Sequence, residues 1–355
     1  MKSVRARLDA PRVPRAWTIP TVIALACLAF GAAEPVPPLP ESVLRLGIPR
    51  QAFADLNEND ASAAYRAFVI SLGRRRGYDV RPDVLIFDAI PQLETAVRDG
   101  RVNVAILGTW QLLESRLRNC TDVAFVPAAG HVVARRVVLL VRRDSGLRAL
   151  RDLRGKSVLV LVDTHTTLGR PWFETRCLAE GLGRPDAYVH KVDAVGRPNA
   201  AILPVFFGRA DACIVDDQTF STACELNPQL ARDLIVIEQS EPMVDSVLCL
   251  NRTGWVSRQR RDDLCQSILE LHAEPSGRQI LMLFRFDRLV PIEPGMLDSV
   301  MALHARYARL VGAPASATVV PPLSPAVTSG RAGALGIVAR PERSAGTLPW
   351  GGRRP

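Results

Sequence analysis

Residues 163–169 read DTHTTLG, and they place Asp163, Thr164, His165, Thr166, Thr167 and Gly169 directly after the apolar run SVLVLV at 157–162. A helix that starts near Thr167 or Leu168 leaves its first backbone N–H groups without intrahelical partners. Those donors and the positive end of the helix dipole favour an anion. The hydroxyls of Thr166 and Thr167 can add donors aimed at the same point. His165 is either a further donor to an oxyanion or a solvated turn residue. Pro171 would fall in the first turn, where its missing N–H costs little. The simpler reading is that one threonine caps the helix and binds nothing.

The elements around this turn follow from hydrophobic periodicity. Short apolar runs at 43–48, 83–88, 102–107, 123–129 and 132–143 read as strands, with helical spacing near 61–75, capped within Asn57–Asp60, and near 91–100 and 108–117. The alternation restarts with strands at 157–162, 187–192, 210–216, 234–240 and 245–251 and helices near 169–182, 199–208 and 217–226. Three helical stretches close the chain at 260–273, 276–284 and 296–310. Strand–helix alternation implies an α/β fold of mainly parallel sheets flanked by helices. Two such blocks imply two lobes. The last helices have no block of their own, so they are expected to return to the first lobe. The expected division is 42–142 with 246–311 for lobe 1 and 143–245 for lobe 2, joined by crossover segments near 140–146 and 241–246. Two crossings make a hinge.

In open α/β sheets ligands sit beyond the carboxyl ends of the strands. The candidate turns are therefore Gly47–Gln51, Gly108–Gln111, Thr164–Gly169 and Asp216–Gln218. Trp110 follows a strand end, where it can stack on a ligand or belong to the core.

Charge narrows the function classes. Of a formal net charge of +9, residues 1–33 carry +4 and residues 312–355 carry +4, so the body is near neutral. A nucleic-acid binder should concentrate basic residues on a folded face, and nucleic acid is excluded as a partner. Residues 1–33 resemble an export signal: basic residues precede TIPTVIALACLAFGAA at 18–33, which ends in small residues suited to cleavage after Ala33. Lipidation at Cys27 and a retained N-terminal anchor are the alternatives. PVPPLP at 35–40 reads as an extended linker within 34–41, and 312–355 as a disordered tail rich in Pro, Ala, Gly and Ser. None of the seven cysteines forms a CxxC pair, which argues against a structural zinc site and leaves disulfides or scattered core positions open. No cofactor or metal is implied.

Enzyme motifs are missing. The sequence holds no G-x-S-x-G, H-E-x-x-H or S-x-x-K. Gly155-Lys156-Ser157 resembles the end of a P-loop, but Leu150 stands where the first glycine is required and a strand follows instead of a helix.

A resemblance adds to this reading. RGKSVLVLVDTHTTLGRPWF resembles the strand–turn–helix of periplasmic phosphate/phosphonate-type ABC-transporter solute-binding proteins, whose turn reads D-P-x-S-T-S-G. GRVNVAILGTWQLL, FFGRADACIVDDQTF and LELHAEPSGRQIL are similar to three further segments of that family, in the same order over about 42–310. The resemblance implies a two-lobed periplasmic-binding-protein fold. It implies a monomer that closes on a small anion such as a phosphonate and delivers it to an ABC permease in the inner membrane. The family's hydroxyl-bearing turn falls on Thr166, Thr167 and Leu168, and Leu168 lacks a donor. Gly108-Thr109-Trp110 lacks the family's proline. The resulting candidate ligand-binding residues are Thr166, Thr167, His165, Gly169, Thr109, Trp110 and Asp216. Asp216 is expected in the cleft and Asp217 as the cap of the following helix. A ligand-sensing or interaction module of the same fold, signalling to a membrane partner, is the alternative function.

Overall fold

The computed structural model describes residues 41–53, 57–163 and 166–312. The expected signal segment, most of the linker, all but the start of the tail, Cys27 and His165 lie outside the described residues.

In chain order the first strands are β1 (Glu41–Pro49), β2 (Asp79–Phe87), β3 (Val104–Gly108), β4 (Thr121–Ala128), β5 (Val137–Arg142) and β6 (Ser157–Leu161). β7 (Lys191–Val195), β8 (Ala212–Asp216), β9 (Leu234–Gln239), β10 (Ser246–Asn251) and β11 (Arg288–Pro291) follow. The helices are α1 (Glu58–Arg75), α2 (Ile90–Arg98), α3 (Thr109–Glu114), α4 (Gly169–Ala179), α5 (Pro185–Tyr188) and α6 (Pro198–Phe206). α7 (Asp217–Leu226), α8 (Pro228–Asp233), α9 (Arg258–Glu270), α10 (Pro275–Leu283) and α11 (Asp298–Leu310) complete the set.

Two sheets form. One has the order β11-β4-β10-β3-β1-β2 and the other β7-β6-β8-β5-β9. In the first, β1 to β4 share a direction while β10 and β11 run against them. In the second only β5 is reversed. β5 and β10 are the strands by which the chain enters a sheet after crossing from the other. Each slots beside the carboxyl-terminal end of a strand that leads into a helix, so it arrives in the opposite sense. β10 is buried along its whole length, and β8 likewise. This explains why both read as unbroken apolar runs instead of alternating ones.

One boundary differs from the sequence reading. β5, placed there in lobe 1, pairs with β8 and β9. The first crossing therefore lies at 129–136, not 140–146. An apolar run that serves either sheet equally well carries no signal of which one it joins. The two crossing segments touch: Arg135 and Met243 exchange backbone hydrogen bonds of 3.0 and 2.8 Å.

Helix ends follow local chemistry. Pro91 and Pro198 stand in the first turns of α2 and α6, where a missing N–H is harmless. α4 ends just before Gly181, whose φ of +71° suits the left-handed turn that stops a helix. α11 packs against both α3 and α4 and so braces the two sheets' flanking helices against each other. The six described cysteines are all free, which favours core positions over disulfides; burial pushes the Cys177 and Cys249 thiols up to about 12. Among the described residues no helix is long and apolar enough to cross a membrane.

Candidate functional site

β6 delivers its carboxyl end to the start of α4, and the turn between them faces the end of β3. Gly108 there comes so close that a Cβ would stand 2.8 Å from Thr167 Oγ1. A larger residue would push the Thr167 hydroxyl out of its place. Gly169 has a separate reason: a Cβ would meet Val160 and Ile214 side chains at 3.2 Å, so a glycine lets α4 lie close on the sheet.

The donors expected at the α4 N-terminus are present, and an anion of the protein fills them. The Asp245 Oδ1 atom accepts from Thr167 N (2.9 Å), Leu168 N (3.0 Å) and Thr167 Oγ1 (3.2 Å). Asp245 stands at the entrance to β10, on the second crossing segment. Burial pushes its carboxyl up to about 7; the hydrogen bonds from Thr167 and Leu168 pull it down, and nearby Asp163 adds to the rise. The remaining space at this point is a cavity of only about 20 Å³, shared with Arg135, Thr166 and Asp216. That volume admits about one water molecule.

Thr166 turns inward: its hydroxyl donates to Asp163 Oδ1 at 2.8 Å. Asp163 is buried, and its other oxygen pairs with Arg285 Nη1 at 3.4 Å, linking the α4 turn to the residues before β11. Thr109 is also buried and holds the crossing segment, donating through Oγ1 to Val244 O (2.7 Å) and Asp245 O (3.1 Å). Thr109 and Thr167 thus grip Asp245 from opposite sides, by its carbonyl and its carboxylate.

Two expectations change. Asp216, not Asp217, caps α7: its carboxylate accepts from Thr219 N at 2.9 Å and from the Thr219 hydroxyl, and it pairs with Arg135 at 3.6 Å. Asp217 instead accepts from the Arg136 N–H at 3.2 Å. Two consecutive acids after a strand do not reveal in sequence which one the helix register makes the cap. Trp110 is buried, its ring edge-on to His304 at 5.1 Å and Tyr307 at 5.4 Å on α11.

Gly108, Trp110 and Thr167 come together on a second, much larger cavity of about 580 Å³, with Gln111, Asp163 and Arg170 beside them. Thr166, Gly169 and Asp216 lie instead around the small space at Asp245, and Thr109 is behind both. Sequence reasoning missed Asp245 and Arg285. The available signal for Asp245 was a single acid opening an apolar strand at a predicted crossover. Among the described residues no His, Cys, Asp and Glu cluster could hold a metal.

The family model for ABC-transporter phosphonate periplasmic substrate-binding proteins matches residues 52–297. The chain belongs to that family. It is a family of solute-binding transport proteins. Solved structures agree on the fold. XAC2383 of Xanthomonas citri, determined with chloride ion and with ATP, is 19% identical with a TM-score of 0.59; the match covers 76% of this chain and, for the chloride complex, 99% of that one. A binding-protein component of an ABC phosphonate transporter from Pseudomonas aeruginosa is 15% identical with a TM-score of 0.54, covering 77% and 88%. PhnD1 of Prochlorococcus marinus, in complex with methylphosphonate, is 17% identical with a TM-score of 0.53, covering 76% and 98%. No curated protein matches the sequence.

Proposed function

We propose that this binding protein works in the periplasm, captures a small phosphonate- or phosphate-like oxyanion at the α4 N-terminus and delivers it to an ABC permease. The observation that carries the reading is the convergence of three donors from Thr167 and Leu168 on one carboxylate oxygen of Asp245. A tetrahedral oxyanion offers the same acceptor geometry, and the helix dipole favours it further. Asp245 then acts as the placeholder of the unliganded site. An incoming oxyanion displaces its carboxylate, and the segment 240–245 moves with it. Because that segment pairs with residue 135 of the other crossing, the displacement acts directly on the hinge. Ligand contacts that exist only after this movement supply the differential affinity that closure needs. The solutes named for XAC2383 and PhnD1, ATP and methylphosphonate, carry the acceptor oxygens this receptor requires.

Isothermal titration with methylphosphonate, phosphate, sulfate and methanesulfonate tests the reading on the wild type and Asp245→Asn. Saturable binding is expected, tightened at least about tenfold in the variant because a competing negative charge a few ångströms away is removed. No saturable binding of any of the four anions by either protein would refute it.

A further inference from the structure

The cavity of about 580 Å³ is far larger than a small oxyanion needs, and its walls are mostly hydrocarbon. It runs between the first sheet and helices α1, α9 and α10. Ile48 and Leu248 line it from the strands, Val69 from α1, and Ile280 and Leu281 from α10. Besides scattered polar residues such as Asn103, Ser246 and Ser267, polar side chains gather at two places. Gln111, Thr167 and Arg170 stand where it reaches the α4 turn. At the other end Tyr78 donates to Asp263 and lies under the Arg260 guanidinium, 3.5 Å from its ring centroid. Apolar cavities stay dry and take apolar guests, and this volume is that of a small-molecule site.

We propose that this cavity receives the hydrocarbon part of the solute, so that the ligand class is an anionic amphiphile: an alkyl or aryl chain carrying one oxyanion. The proposal rests on the oxyanion reading of the α4 turn. Thr167 belongs both to the anion receptor and to the cavity wall, which places a head group held there within one bond or two of the apolar space. The chain then runs away from the cleft beneath α1 and α10. Specificity divides between the two ends: the α4 donors select the charge, and the length of the apolar wall selects the chain.

The test is titration with methyl-, butyl-, octyl- and dodecylphosphonate, each below its micelle concentration, alongside 1-octanol as an uncharged probe. Affinity is expected to rise about fourfold per methylene until the cavity is full and then level off. Ile280→Trp, which fills the cavity from α10, is expected to flatten that rise while methylphosphonate binds as before. If this variant fails to fold, Val69→Phe serves the same purpose. Equal affinities for methyl- and octylphosphonate would overturn the proposal and leave the oxyanion reading intact. Octanol and octylphosphonate binding equally tightly, with methylphosphonate unbound and Asp245→Asn without effect, would support the apolar site and overturn the placement of the head group.

Discussion

Replacing Asp245 by asparagine removes a charge from a half-buried position without removing the acceptor. In the folded protein burial pushes the Asp245 carboxyl up to about 7, against an ordinary value of 3.8. Between those values the folded state holds a proton that the unfolded chain has released. Stability therefore falls as pH rises from about 4 to about 7 and is level above it. Each pH unit in this window is worth about 1.4 kcal/mol, so the whole contribution is at most about 4 kcal/mol. Asparagine does not titrate, and its Oδ1 still accepts from Thr167 and Leu168. Urea unfolding of both proteins at pH 5, 6, 7 and 8 isolates the effect as a difference, since every other titration is common to the pair. The wild type is expected to lose ground to the variant by about 1 kcal/mol per unit from pH 5 to pH 7, with no further change to pH 8. Parallel profiles across the range would refute the assignment of a raised carboxyl to this position.

The same group sets a pH dependence of binding. Methanesulfonate keeps one charge throughout, so its affinity should increase as pH falls from 8 to 5 in the wild type and stay flat in Asp245→Asn, measured by titration calorimetry. Gly108→Ala puts a methyl group 2.8 Å from Thr167 Oγ1 and should turn that hydroxyl away from the anion position. Oxyanion affinity measured by titration calorimetry should then drop about tenfold, equivalent to about 1.4 kcal/mol. Asp216→Ala removes the cap of α7 and the partner of Arg135, so it should cost about 1–3 kcal/mol in urea unfolding. Asp217→Ala should cost less, because its one contact outside its own turn is the Arg136 N–H. Gly169→Ala should cost about 1–3 kcal/mol by forcing α4 off Val160 and Ile214.

The helix and strand pattern was legible because it depends on local periodicity. The apolar run before DTHTTLG is β6, the helix after it is α4, and its stop at Gly181 was written in the glycine itself. The free donors of the turn were also legible, since unpaired N–H groups follow from any helix start. What filled the turn was not. Asp245 lies 78 residues from Thr167, and no local rule connects them. The same holds for Arg285, which reaches Asp163 from a position before β11. Sheet membership of β5 failed for a related reason: its residues suit any buried strand, and only pairing partners far along the chain decide. Thr166 and Thr109 read as ligand contacts because threonines at strand ends are suited to it. In the fold their hydroxyls are engaged by Asp163 and by the carbonyls of the crossing segment.

We propose that the α4 N-terminus is an oxyanion receptor occupied by Asp245 until a solute arrives. A crystal structure of the wild-type protein soaked or grown with methylphosphonate is the decisive test. A phosphonate oxygen is expected on the N–H groups of Thr167 and Leu168, with the Asp245 carboxylate moved out of hydrogen-bonding range. A bound phosphonate elsewhere, with Asp245 still accepting from Thr167 and Leu168, would contradict it.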